Sequence, residues 1–114
     1  MSGLSTHILD LTSGQPAAEV TVRLLSLTAP GVSIVSTATD ADGRARLAAA
    51  DQLAEGRYRI EFEIGAYFRR TGANTADPGF LECVAIEFHV QDATRHYHVP
   101  LLVSPFGYST YRGS

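Results

Sequence analysis

Three of the chain's histidines fall where a strand would present them: His7 in LSTHILDL near the start, and His96 and His98, two residues apart, in RHYHVPLLV near the end. Imidazole is the side chain whose ordinary pKa lies near neutrality, so a neutral histidine can accept a proton from water and later return it. The i, i+2 spacing on a strand places His96 and His98 on one face. Two other readings stand beside general-base chemistry. The three rings could be hydrogen-bonded structural residues facing apolar neighbours, or they could ligate zinc, which needs a fourth group and an enclosed geometry. The fourth histidine, His89, shares the polar side of its strand with Glu87 and reads as structural.

Arg44 follows the Asp-Gly turn of TDADGR and stands at the start of a strand. A guanidinium fixed there can bind a planar oxyanion through two parallel hydrogen bonds; a solvated hairpin charge is the plainer reading. Tyr111, Arg112, Gly113 and Ser114 then put an aromatic ring, a cation and a carboxylate into the last four positions, with Ser109 and Tyr111 alternating onto one face. Nucleophilic catalysis has little to work with. All nine basic residues are Arg, which removes Schiff-base chemistry, and Ser104, Ser109 and Ser114 lack a nucleophile elbow. Cys83, in the apolar run FLECVAIEF, carries no thiol-enzyme motif and is expected to be buried or half-buried. Glu61 and Glu63 are better explained as a charged exterior than as a carboxylate pair, and there is no glycine-rich phosphate loop.

The elements that must hold these residues are strands. In RYRIEFEI, Tyr58, Ile60, Phe62 and Ile64 fall on one face and Arg57, Arg59, Glu61 and Glu63 on the other, a strand with one dry and one wet side. Val20, Val22 and Leu24 read as inward, as do Val84, Ile86, Phe88 and Val90, and further strands are expected at SIVSTAT and after DADG. AYFRRTGA predicts a helix of about two turns capping an edge. Short alternating segments bounded by Gly, Pro, Asp and Ser predict an all-β Greek-key fold of seven or eight strands and one helix.

Two strands lack a wet side. Tyr97, Val99, Leu101 and Val103 oppose His96, His98, Pro100 and Leu102, and Thr6, Ile8 and Asp10 oppose His7, Leu9 and Leu11. An outer face of this kind needs cover, and a second copy of the chain supplies it, so a homo-oligomer is expected.

At 114 residues, 1–114 is expected to form one domain. A net charge of −3 with no basic block argues against nucleic acid, and no apolar stretch is long enough to span a membrane. A single cysteine allows no internal disulfide, and the start MSGLSTHILD has no signal-peptide pattern, so the expected location is cytoplasmic.

LSTHILDLTSGQPAAEVTVRL, TDADGR and HYHVPLLVSPFGYSTYRGS together resemble the transthyretin-related family of 5-hydroxyisourate hydrolases over nearly the full chain, with YRGS the most specific mark. The resemblance implies a transthyretin-like Greek-key sandwich of two four-stranded sheets with one short helix. It also implies a homotetramer with active sites at the dimer–dimer interface. The implied activity is hydrolysis of 5-hydroxyisourate to 2-oxo-4-hydroxy-4-carboxy-5-ureidoimidazoline in urate catabolism, with neither cofactor nor metal. Carried onto this chain, the catalytic residues are His7, Arg44, His98 and Ser114. His7, Arg44 and Tyr111 bind substrate, and His96, Arg112 and Gly113 support. His7 either positions the water or protonates the leaving nitrogen. The alternative on the same scaffold is a non-catalytic carrier of a small aromatic ligand; the vertebrate hormone carrier has different residues at the positions of His7, Arg44, His98 and Tyr111.

Overall fold

The computed structural model describes residues 3–28, 32–49 and 52–113. Along the chain run β1 Gly3–Asp10, β2 Gln15–Pro16, β3 Thr21–Ser26, β4 Val32–Ala38, β5 Arg44–Ala48, β6 Gly56–Glu63, α1 Ile64–Thr71, β7 Cys83–Val90, β8 His96–His98, β9 Leu101–Ser104 and β10 Gly107–Thr110. One sheet has the order β4-β3-β6-β7 and is antiparallel throughout. The other is built around β1. Along one edge β1 pairs in parallel with β8 and then β9, with β10 beyond; along the other it pairs antiparallel with β5 and then β2. Its six short strands thus fill four positions, because β8 and β9 are one line interrupted at Pro100 and β5 and β2 share an edge. This is the expected pair of four-position sheets, in more and shorter pieces than the sequence suggests.

The interruption has a chemical cause. Proline brings no N–H to the ladder, so the polar groups around it find other partners. Val99 N donates to Ser5 O at 3.0 Å, Thr6 Oγ1 donates to Val99 O at 2.6 Å, and Thr110 Oγ1 donates to Pro100 O at 2.7 Å.

Alternation sorts the core as anticipated. Ile8, Val22, Leu24, Ile60, Phe62, Leu101 and Val103 are all buried between the sheets, and each full burial of this kind contributes about 1.5–3 kcal/mol. A slip of one residue would turn any of these strands inside out. The outer face of the four-stranded sheet is ionic. Arg23 pairs with Glu61 at 3.1 Å and with Glu63, and Arg59 pairs with Glu87 at 2.7 Å, so Glu61 and Glu63 form the charged exterior expected of them.

Helix α1 starts two residues before the expected Ala66, with Ile64, Tyr67 and Phe68 buried. It stops at Gly72, whose φ of 82° is the left-handed cap that glycine adopts without strain, and Arg69 and Arg70 lie in its last turn, where cations suit the helix dipole. The helix is tied to β1 by Tyr67 Oη, which donates to the buried Asp10 Oδ2 at 2.8 Å. Burial works to raise the Asp10 pKa, but hydrogen bonds from Thr12, Tyr67 and Ser13 outweigh it and hold the carboxyl below its ordinary value. Burial and the same bond push Tyr67 up to about 12.

Cys83 departs from expectation: it is exposed, not buried or half-buried. It begins edge strand β7, whose alternate residues Cys83, Ala85, Glu87 and His89 point away from the core. Among the described residues no helix is long and apolar enough to cross a membrane.

Candidate active site

The outer face of the sheet around β1 collects the chemistry. Because Leu4, Thr6 and Ile8 face the core, Ser5 and His7 face outward. The strand registers then place partners beside them: Ser5 opposite Arg46 and His7 opposite Arg44 on β5, and Ser5 opposite His98 on β8. Directly paired residues share a face, so three histidines, two arginines and a serine are brought onto one surface. An open cleft of about 440 Å³ lies there, lined among others by Ser5, Asp40, Arg44, Arg46, His96 and His98.

Ser5 sits between two imidazoles. Its Oγ is 2.9 Å from His98 Nδ1 and 3.0 Å from His96 Nε2. Among the described residues nothing hydrogen-bonds His98 Nε2, which leaves that nitrogen for the cleft. Burial disfavours the imidazolium of His98, the charges of His7, His96 and Arg44 add to the effect, and its pKa is lowered despite an opposing contribution from the Ser5 backbone. A ring held neutral with one free nitrogen is in the state a general base needs.

Arg44 is placed by its turn. Asp40 Oδ1 accepts from Asp42 N at 2.9 Å and Arg44 N at 3.0 Å, while Gly43 N donates to Asp40 O at 2.9 Å. Gly43 has φ 74°, and a β-carbon on it would lie 2.7 Å from Ile8 O, so only glycine lets the turn close on β1. Ile8 N donates to Gly43 O at 2.8 Å, which docks the turn beside His7. Neither Arg44 nor Arg46 has an ion-pair partner among the described residues, so both guanidiniums are available to an electron-rich ligand.

The C-terminal segment divides. Gly113 N donates to His98 O at 2.8 Å and bridges the tail to β8. Tyr111 is exposed and shares a smaller recess of about 150 Å³ with His7, Leu9 and Leu102. Arg112 turns onto the Tyr97 ring, 4.6 Å from its centroid, in a separate apolar hollow with Ile86 and Phe88. Ser114 lies outside the described residues. Among those described, no three metal-ligating side chains are gathered closely enough to hold an ion, so the zinc reading has no ligand set there.

Ser5, Arg46 and Asp40 escaped the sequence reading. The period-two rule that put His7 outward also puts Ser5 outward, and likewise Arg46 with Arg44, but nothing local says that either meets β8. That depends on pairing across the whole chain.

The chain is similar to known proteins over nearly its whole length. Residues 4–113 match the model of the HIUase/Transthyretin family. The chain is 55% identical over 115 residues to the 5-hydroxyisourate hydrolase of Caulobacter vibrioides, covering 100% of both. Among solved structures, it superposes on Klebsiella pneumoniae 5-hydroxyisourate hydrolase with a TM-score of 0.85 at 40% identity, covering 100% of each chain. Sea bream transthyretin in complex with thyroxine gives a TM-score of 0.86 at 34% identity, covering 97% of this chain and 94% of that one.

Proposed function

The chain belongs to the HIUase/Transthyretin family, and on that premise we propose that it hydrolyses 5-hydroxyisourate, opening the six-membered ring at its acyl–nitrogen bond to give 2-oxo-4-hydroxy-4-carboxy-5-ureidoimidazoline. The full-length identity to a hydrolase of that substrate supports the reaction. The observation that carries the mechanism is His98 itself: buried enough to stay neutral, held at Nδ1 by Ser5, and open at Nε2 to a cleft that contains Arg44.

Water gives a proton to His98 Nε2 as its oxygen adds to the ring carbonyl carbon. Negative charge gathers on the carbonyl oxygen, where Arg44 donates hydrogen bonds; a well-placed donor of this type is worth about 3 kcal/mol in other oxyanion sites. The carbon–nitrogen bond then breaks and the proton held by His98 passes to the departing nitrogen. His7, in register with Arg44, positions the water. Tyr111 flanks the heterocycle from the His7 side, and Ser114 is given its catalytic part by the family likeness alone. No covalent intermediate, metal or cofactor enters these steps.

The working form in this reading is a homotetramer with sites at the dimer–dimer interface, in which a second copy covers the half-buried His7, Leu9, His98 and Leu102. Residues 1–114 serve as one domain, and the compartment is the cytoplasm. Light scattering and cell fractionation test these two points. The decisive assay is optical. Urate and urate oxidase generate 5-hydroxyisourate, and its absorbance band should decay faster with the protein present than by itself. Unchanged decay, combined with tight binding of an aromatic ligand, would favour the carrier that the likeness to sea bream transthyretin suggests.

A further inference from the structure

We infer that Ser5 is a positioning residue that sets the tautomer of His98, by accepting a hydrogen bond from His98 Nδ1–H while donating its own proton to His96 Nε2. The proton count forces most of this. A serine hydroxyl carries one hydrogen, so Ser5 Oγ, 2.9 Å from one ring nitrogen and 3.0 Å from another, can donate to only one of them. The other nitrogen must bring the proton for its own bond. Three arrangements remain: His98 Nδ1 alone is the donor and its Nε2 is bare; both rings donate to the two lone pairs of Oγ, again with His98 Nε2 bare; or His96 Nε2 alone is the donor and His98 carries its proton on Nε2.

A second oxygen disfavours the third. The Ser5 backbone also acts on the His98 ring in the direction expected of a carbonyl, which can only accept. With a carbonyl and a hydroxyl of the same residue both offering lone pairs, His98 holds its hydrogen on the Ser5 side. Of the two arrangements with the hydrogen on His98 Nδ1, the proposed one turns the hydroxyl's hydrogen to His96, whose ring is on the same face two residues earlier. His96 thus acts through Ser5: it takes the hydrogen that would otherwise compete for His98 Nδ1. The identity of the nitrogen left bare in a histidine is set by what its other nitrogen bonds, and here that partner comes from β1, 93 positions away in sequence.

The rate consequence rests on the hydrolase reading of His98, but the tautomer is a property of the free protein, so the test has two separable arms. In the full chain at pH 8, imidazole nitrogen chemical shifts should report His98 as the Nδ1–H form. Ser5→Ala should release it toward the Nε2–H form, Ser5→Thr should retain Nδ1–H, and His96→Ala should shift it part of the way, because the Ser5 hydroxyl is then free to turn its hydrogen onto Nδ1. In the absorbance assay Ser5→Ala should lose about 100-fold in kcat with little change in KM, and Ser5→Thr should recover most of it. A wild-type His98 already in the Nε2–H form overturns the inference whether or not any variant folds. So does a Ser5→Ala protein that keeps both the tautomer and the rate. If the tautomers behave as expected and no variant or wild type turns over 5-hydroxyisourate, the functional reading fails and the positioning role stands.

Discussion

Gly113 lies close against the imidazole of His98: a β-carbon built on it would collide with Cδ2 and fall 3.1 Å from Cγ. The glycine near the C-terminal end is therefore required by close approach to a ring. With Ser5 at Nδ1 and Gly113 against Cδ2 and Cγ, Nε2 is the ring nitrogen of His98 that has no hydrogen-bond partner among the described residues.

Gly113→Ala should push the ring off this seat while leaving the sheets intact, since the residue is beyond the last strand. Displacement of a base by about 1 Å can cost about 100-fold, and a loss of that order in kcat/KM is expected with the melting temperature nearly unchanged. Undiminished turnover in this variant would disconnect the seat of the ring from the chemistry.

The pH profile should carry an acid limb below the ordinary imidazole value of about 6.5. Burial, then the charges of His7, His96 and Arg44, disfavour the protonated ring, which also looks out on Arg46 and Asp40. The rate should stay level as pH falls through 7 and drop only beneath that value. Stability follows the same sign. The unfolded chain takes up this proton at a higher pH than the folded one, so the contribution is present above about pH 6.5 and is lost as pH falls through the folded pKa. Rate and melting temperature measured between pH 8 and pH 5 check both; a limb above 7 contradicts the assignment.

Arg44→Gln should lower kcat by about 100-fold, the cost of one oxyanion donor. Arg44→Lys should recover little of it, because an ammonium keeps the charge but not the planar pair of donors. Restoration of full rate by lysine would mean that Arg44 acts through charge alone.

Tyr67→Phe should weaken the fold and spare the site. The change leaves Asp10 Oδ2 without its hydrogen-bond donor in a residue only 2% exposed, a loss of about 1–3 kcal/mol. Denaturant titration should show the lowered midpoint, and turnover per folded molecule should match the parent. Equal stability would remove the helix–strand tie from the account of the fold.

Much of the sandwich is legible without coordinates because a strand's side chains alternate, and residues such as Ile60, Phe62, Leu101 and Val103 must lie together on the dry side. The turn before β5 is legible in the Asp-Gly of TDADGR, whereas the break between β8 and β9 at Pro100 is not, because residues 96–103 alternate as one strand. Helix α1 is offset by two residues because its start is decided by packing of Ile64 between the sheets, which local composition does not report. The outward position of Cys83 went unread for a related reason: FLECVAIEF is apolar enough to hide which of its two faces is the covered one.

What the sequence determined by itself was an inventory: three imidazoles on strands without a wet side and one guanidinium at a strand start, with Ser5 and Arg46 not among them. Which of them meet was decided only by tertiary structure. Ser5 reaches His98 because β1 pairs in parallel with β8, and His7 stands beside Arg44 because Gly43 lets a turn close on Ile8. Such contacts depend on strand register, and register is set by the simultaneous burial of every inward side chain in both sheets, a property of the whole folded chain.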